Sequence, residues 1–431
     1  MEIETASLRV ASADLNGQMR GKRLPGSAAA RIEFTGLRMP LSTLSLDVLG
    51  QPAAAGPADG DGQLRVTERG PVPMPWLVQA TTLLPMWMFT DDGRPCPTCP
   101  RHALSRVLAR WARHNRKVIA APSIEVMLVD DTGPALTAAH APDTGRPLRA
   151  SQAGSVAQLD AFAGFFDDLY FGAEAMGIKL DETVSAAGLA QFRLSLAPQP
   201  AMRAADDLWL LKALVRGTAR AHDIAACFLA KPFADQPGNG LHVSFWAEGQ
   251  GGNVFDNGLQ AGSSQMRQAV AGSLSCLPGA TLLFAPHEAS YARFAPDSLA
   301  PTSASWGYEN RSCAIRIPAG DPATRRIEHR APGADTNPYL ALGAILGGAI
   351  AGIEDDLAPP EPVIGSAYDQ RVLQFPMDWD SAIERFSISP RMARIFTPEL
   401  IATLTAVKRQ EQSQLARLSP AEVTMALMDA V

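Results

Sequence analysis

Through the first hundred positions apolar residues fall in short runs broken by glycine and proline, residues 8–10, 31–34 and 64–66 among them. Such runs predict β-strands, and so a small sheet domain over residues 1–100. Residues 53–62 are alanine, glycine, proline and aspartate without a period and read as a loop. At Arg101 the pattern changes. Leu104, Val107, Leu108 and Trp111 fall at the i, i+3, i+4, i+7 spacing of an amphipathic helix, and a second domain, 101–431, is placed from there.

Strands and helices alternate within that second part. Residues 117–130, 191–196, 227–230 and 241–247 read as strands. Residues 158–176 read as a helix with Leu159, Phe162, Phe166, Leu169 and Tyr170 inward, and 204–221 as another. Asn337-Pro338 starts a helix over 338–353, since proline is tolerated in a first turn. The run 249–252 reads as a hairpin turn; a phosphate loop would need a lysine and a helix after it. Ala358-Pro359-Pro360-Glu361-Pro362 is a stiff linker before a mostly helical tail.

Bulk composition mainly excludes. A chain of 431 residues is too long for one ordinary core. With 46% hydrophobic and 19% charged residues and a net charge of -6 it reads as a mildly acidic globular protein. Nothing in that balance points to nucleic acid or an anionic membrane. No apolar run reaches the roughly 20 residues of a membrane-spanning helix. The start Met1-Glu2-Ile3-Glu4 is acidic where a signal peptide is basic, so a cytoplasmic location is expected. Five cysteines do not make a disulfide framework. Cys96-Pro97-Thr98-Cys99 has only His102 as a local companion, short of a zinc set, and reads as a loop leading into the next helix.

The densest chemistry lies in Arg326-Ile327-Glu328-His329-Arg330, followed by Asp335-Thr336-Asn337-Pro338-Tyr339-Leu340. In an extended strand Arg326, Glu328 and Arg330 project together, and two guanidiniums beside a carboxylate suit a phosphate-rich ligand. Alone, the segment would read as a surface ladder of ion pairs. Upstream, however, stand Lys231-Pro232-Phe233, Gly238-Asn239-Gly240-Leu241-His242-Val243-Ser244 and Trp306-Gly307-Tyr308-Glu309-Asn310-Arg311-Ser312-Cys313-Ala314-Ile315-Arg316-Ile317-Pro318. This ordered set resembles the glutamine synthetase family, whose equivalent strings read roughly KPF, GSGMHxH, NRSAxIRIP and RxExRxxDxxANPYL. The resemblance extends to Asp14-Leu15-Asn16-Gly17 with Arg20-Gly21-Lys22, to Asp92-Gly93-Arg94-Pro95 with Pro100-Arg101, to Ile124-Glu125-Val126 and to Gly188-Leu189-Ala190-Gln191-Phe192. It covers essentially the whole chain.

The resemblance implies an α+β fold, with an N-terminal β-grasp domain and a C-terminal catalytic domain built on an antiparallel sheet with helices. It implies a homo-oligomeric ring, often a dodecamer, with each site between neighbouring subunits. Enzymes of this family phosphorylate the γ-carboxylate of glutamate with ATP and let ammonia or another amine displace the phosphate. Their divalent ions, Mg or Mn, sit on five glutamates and one histidine, because hard cations demand such ligands. Glu125, His242 and Glu328 match that metal set. Ser123, Ser185 and Arg193 stand where the other three glutamates belong. Two losses to serine and one to arginine strip most of the negative charge. A guanidinium about 4 Å from a divalent ion repels it by several kcal/mol, since even two unit charges interact by about 4 kcal/mol at that range. Fewer ions than the family holds are therefore expected, with Arg193 standing in the place of one. Asp181 and Glu182 are candidates for relocated ligands.

The arginines, by contrast, are present. Arg293 matches the arginine that holds the substrate carboxylate; Arg311, Arg316 and Arg326 match those around the nucleotide phosphates; Arg330 matches one that stabilises the transferring group. Arg293, Arg311 and Arg330 are thus the catalytic candidates, and Gly238 and Gly240 join Arg293 and Arg330 in binding substrate. Asp47 is a candidate for the acidic latch lent to a neighbouring subunit. In Pro296-Asp297-Ser298-Leu299-Ala300-Pro301, Leu299 stands where ammonia-using members place a glutamate. The γ-glutamylpolyamine and γ-glutamylamide synthetases commonly lack it too, and the Ser-Trp-Gly-Tyr-Glu-Asn-Arg string is closer to that branch. Two readings stay open. One is a glutamine synthetase-like protein with an impaired metal site, a pseudoenzyme or binding protein that takes nucleotide or another anion. The other is an active ATP-dependent ligase joining glutamate, or a similar acid, to an organic amine.

Overall fold

The computed structural model describes residues 5–53, 59–133, 135–150, 153–296, 298–321, 324–370 and 372–431. Met1 to Glu4, residues 54–58 of the expected loop and Asp297 lie outside the described residues.

The first sheet is built from β1 (Ser7–Ala13), β2 (Met19–Pro25), β3 (Leu37–Pro40), β4 (Asp61–Val66), β5 (Val72–Pro73) and β6 (Thr81–Phe89). Its order is β2-β1-β6-β4-β3, with β5 also on β6. The central pair β1 and β6 is parallel and the rest is antiparallel. One expected strand is a helix instead: α1 (Ala29–Thr35) occupies the run at 31–34. Three alanines at 28–30 favour helix, and only Ile32 of that run is fully buried while Phe34 is exposed. Gly36, at φ 64°, ends the helix with its N–H on the Ile32 carbonyl. Leu8, Val10, Ile32, Leu64 and Met88 form the core under this sheet, closed by the buried Cys96 and Cys99.

The second sheet contains β7 (Lys117–Asp130), β8 (Thr137–Ala138), β9 (Leu180–Ser185), β10 (Gln191–Leu196), β11 (Gln199–Pro200), β12 (Ala225–Cys227), β13 (Leu241–Gly249), β14 (Gly252–Asn253), β15 (Trp306–Tyr308), β16 (Ile315–Ile317) and β17 (Ile327–His329). The spine runs β15-β16-β17-β13-β7-β10-β9, antiparallel except between β15 and β16. The 249–252 turn is a hairpin, with Gly249 opposite Gly252.

Helices cover one side of this sheet and extend into the tail: α2 (Pro100–Arg113), α3 (Val156–Asp160), α4 (Ala163–Ala175), α5 (Ala201–Ala221), α6 (Ser264–Phe284), α7 (Pro338–Glu354), α8 (Trp379–Ile388), α9 (Pro390–Ala393), α10 (Pro398–Leu415) and α11 (Pro420–Ala430). The single helix expected over 158–176 is broken at Ala161 and Phe162, and Tyr170, expected inward, is exposed. Helix α7 is buried on every side from Pro338 to Gly352, because α2, α5 and α6 surround it. Asn337 caps it, accepting from the Tyr339 and Leu340 N–H groups. The Asn337 amide also donates to the Asp14 and Leu15 carbonyls, so one residue fixes the start of α7 and the β1–β2 turn together.

Candidate active site

Strand register assembles one polar row across the second sheet. His242 on β13 stands opposite Ser123 on β7, and Arg193 on β10 opposite Glu125 on β7. Glu328 on β17 stands opposite Ser244 on β13, and Arg316 on β16 opposite Glu328. Directly opposed residues share a face, so Ser123, Glu125, Arg193, His242, Arg316 and Glu328 all rise from the same side of the sheet.

At the centre is a bare stretch of backbone. A Cβ on Gly240 would lie 2.8 Å from Arg293 Nη2, 3.2 Å from His242 Nε2 and 3.3 Å from Glu125 Oε2, so three functional side chains converge where a side chain is missing. The Gly240 N–H donates to Glu125 Oε2 at 2.7 Å. Gln191 positions this segment: its Nε2 donates to the Gly238 carbonyl and to Asn239 Oδ1 at 3.0 and 2.8 Å. Burial raises the Glu125 pKa, and the Gly240 N–H and the Arg293 guanidinium pull against that rise.

Arg293 is buried, donating to the Ala331 carbonyl at 2.7 Å and to the Arg330 carbonyl at 3.1 Å. Burial brings its pKa down to about 10, with Glu125 and Asp335 opposing. Glu328 is held from both sides: Arg330 Nη1 donates to Oε1 at 2.9 Å and Arg316 Nη1 to Oε2 at 2.6 Å. Arg316 also reaches Glu309 at 3.1 Å. The Nε atoms of Arg316 and Arg330 are buried without a partner among the described residues. His242 Nδ1 is 3.7 Å from Glu328 Oε1. Burial, then Arg330, Arg293, Arg193 and Arg316, push its pKa well below the usual histidine range, so it is neutral.

Three of the four carboxylate oxygens of Glu125 and Glu328 are already hydrogen-bonded. Both Glu328 oxygens carry guanidinium N–H groups, and one Glu125 oxygen takes the Gly240 N–H. No cluster of three His, Cys, Asp or Glu side chains is arranged to hold a metal among the described residues.

The remaining expected residues divide between the site and elsewhere. Ser123 is on the site face, its hydroxyl 3.0 Å from that of Ser195. Arg193 is there too, bridged to Glu182 at 3.1 Å. Glu182, one of the two relocation candidates, therefore stands on the rim but is engaged by an arginine, while Asp181 is exposed beside it. Ser185 is not in the site. It pairs with Phe192, on the core face of β9, and its buried hydroxyl donates to Gln158 Oε1 at 2.6 Å. Arg311 is exposed in the turn that Asn310 caps, and among the described residues Arg326 reaches only the Thr324 carbonyl, so neither is seen to join Arg293, Arg316 and Arg330. Arg330 Nη2 lies 3.4 Å from the Leu299 carbonyl, tying the loop at 298–301 to the site through backbone. Asp47 is fully buried, holding the N–H groups of Leu49 and Gln51 and the Gln410 amide.

Two further carboxylates, Glu309 and Asp335, brace the site arginines. Glu309 holds Arg316 and accepts from the Ala319 N–H. Asp335 Oδ2 accepts from Ser290 at 2.5 Å behind Arg293. Both lie inside the strings quoted for the resemblance, and that position was the signal available for them.

Residues 97–426 match the glutamine synthetase catalytic domain. The γ-glutamylputrescine synthetase PuuA of Escherichia coli (strain K12) is 32% identical over 420 residues, 94% of this chain and 88% of that protein. The γ-glutamylethanolamide synthetase GlnA4 of Streptomyces coelicolor is 29% identical, covering 78% of this chain and 72% of that protein. In three dimensions a glutamine synthase homologue superposes with a TM-score of 0.86 at 23% identity, covering 100% of this chain and 99% of its own. With its catalytic-domain match over residues 97–426 and a relative 32% identical along 94% of its length, the chain belongs to the glutamine synthetase family.

Proposed function

We propose that this protein is an anion-binding member of the family in which metal-dependent γ-phosphoryl transfer is lost, and that it holds a carboxylate or phosphate group on Arg293, Arg316 and Arg330. The observation that carries this reading is Glu328, both of whose oxygens are taken by guanidiniums where the family would place a divalent cation. The family works with ATP and divalent metals. Here the sheet instead presents arginines to the cleft, one of them opposite Glu125. The arginines can bind, orient and neutralise an oxyanion without a metal, as planar forked donors do. The buried, neutral His242 adds one hydrogen-bonding nitrogen and no charge.

A second reading is favoured by the similarity to PuuA along 94% of the chain: a ligase joining glutamate or a related acid to an organic amine, with putrescine as the first amine to try. Leu299 in place of a glutamate fits either reading. A ring of identical subunits in the cytoplasm is part of both, and light scattering on the purified protein tests the ring.

Calorimetric titration of ATP, with magnesium and then with EDTA, separates the two. Binding that survives EDTA, with no ADP released when glutamate and putrescine or ethanolamine are supplied, is expected. Binding that requires magnesium, together with amine-dependent ADP release that Arg330→Gln abolishes, would replace the first reading by the second.

A further inference from the structure

Away from the sheet's polar row, a cavity of about 740 Å³ opens between the β1–β2 turn, the 76–77 loop, one face of α5 and the end of α11. None of its lining residues belongs to the candidate active site. Apolar surface comes from Trp76, Trp209 and Met428. The Trp209 indole is fixed, its Nε1 donating to the Gly17 carbonyl at 2.8 Å.

The polar side of the cavity is cationic. Lys212, Arg216 and Arg220 line it at i, i+4 and i+8 of α5, on one helix face. Arg220 is matched by Asp131. Among the described residues Lys212 hydrogen-bonds only the Ala334 carbonyl, at 2.9 Å, and sits 5.1 Å over the Phe228 ring, with the Asp335 carboxylate offsetting part of its burial. Arg216 stacks on the same ring at 5.2 Å, with Nε and Nη2 buried and unpartnered among the described residues. Asp429, also on the cavity wall, forms no close ion pair with either among the described residues, though its charge offsets part of the burial of Arg216. Burial lowers Arg216 to about 10 and Lys212 to about 7, as expected for cations taken from water without full compensation. Asp335 and Asp429 offset this cost only in part, and an anion placed between the two cations would offset more of it.

We propose that this cavity is a second ligand site, taking a small carboxylic acid with an aromatic or other apolar body, its carboxylate on Arg216 and Lys212 and its body against Trp76 and Trp209. The cavity volume lies within the range of small-molecule sites, and its mixture of apolar wall and few convergent charges is the usual composition of one. Occupancy has a physical route to the active site. Lys212 and Arg293 both act on the buried Asp335 carboxylate, which holds Ser290 in the turn that ends at Arg293.

The test is calorimetry on the full chain with phenylacetate, indole-3-acetate and hexanoate, alongside the matching amides. At least one acid is expected to bind, its amide to bind at least about tenfold more weakly, and Arg216→Gln to lose a similar factor while keeping the wild-type circular dichroism spectrum. Arg330→Gln, in the active site, should leave acid binding unchanged. The proposal is overturned if none of the acids binds at millimolar concentration, if acid and amide bind alike, or if binding is lost in Arg330→Gln and kept in Arg216→Gln, which would put the acid in the cleft. Ala213→Phe, which puts a ring into the cavity from α5, should block the same binding and serves if Arg216→Gln fails to fold.

Discussion

Glu328 is contested by two arginines, so an anion entering the cleft must compete with a built-in carboxylate. Replacing it by glutamine removes that competitor while keeping an oxygen for one guanidinium. Arg316 retains Glu309 as a partner. Glu328→Gln should therefore tighten metal-free ATP binding roughly fivefold to tenfold, the worth of a charge-assisted contact of about 1–1.5 kcal/mol, as read by titration in EDTA. In a metal-dependent ligase the same change would weaken nucleotide binding. His329, next along the strand, points to the other face and is fully buried against Phe284, with its pKa pulled by burial to about 3. The unfolded chain takes up that proton near pH 6.5, so the histidine's contribution is complete above pH 6.5 and is lost as the pH falls toward 3. Asp14, raised by burial to about 6, acts in the opposite sense over its own window and is common to both proteins compared here. His329→Phe keeps the ring packing, and between pH 7 and pH 5 it should lose about 2 kcal/mol less stability than the wild type in urea denaturation. At this scale the sequence was readable where side-chain alternation decides direction, as for Glu328 and Arg330. It misled at Ser185, where counting from Gln191 ignores which face of β9 a residue occupies. It also misled at Arg326, which lies just before the strand Ile327–His329 begins and turns back on Thr324.

Helices α6 and α7 approach closely enough that backbone touches backbone. A Cβ on Gly352 would stand 2.1 Å from the Gln268 carbonyl oxygen, which cannot move without shifting α6. A Cβ on Gly343, two and a half turns earlier, would meet only the Phe396 ring, its nearest atom at 3.4 Å, an ordinary van der Waals contact. Gly343→Ala thus gains up to about 1 kcal/mol of helix propensity without a clash, and should hold or slightly raise the midpoint of thermal unfolding. Gly352→Ala must separate two buried helices and should cost about 1–3 kcal/mol, seen as a clear fall in the same midpoint. If both alanines behave alike, the close approach is not what these glycines serve. Element boundaries followed the hydrophobic period well for α2, α5, β7 and α7, whose patterns are long. Short segments were decided by context: residues 31–34 alternate like a strand, but the neighbouring alanines and Gly36 make them a helix.

Across the whole molecule, the β1–β2 turn is clamped onto α10 by a buried polar cluster far apart in sequence. Lys408 Nζ donates to Asn16 Oδ1 at 2.6 Å and to Glu411 Oε2 at 2.8 Å. Glu411 Oε1 in turn accepts from the Asn16 amide at 2.8 Å and the Val48 N–H at 3.1 Å. Lys408 and Glu411 are essentially inaccessible, and burial raises the Glu411 pKa against the pull of Lys408. No sequence period announces such a cluster, because its members are brought together only when the first sheet docks on the helical tail. Removing the lysine alone strands a carboxylate in a closed interior, so Lys408→Met should cost about 3–5 kcal/mol in urea denaturation. Adding Glu411→Gln restores neutrality while leaving an oxygen for Asn16 or Val48, and the double variant should recover most of that loss. The same pair reports where the energy acts. If the cluster is a clamp between the first sheet and α10, Lys408→Met should speed amide hydrogen exchange in β1 and β2 well before β7 and β13, whose register is held within the second sheet. A uniform rise in exchange across both sheets would mean instead that the two units unfold as one, and that the cluster stabilises the molecule without joining separable parts.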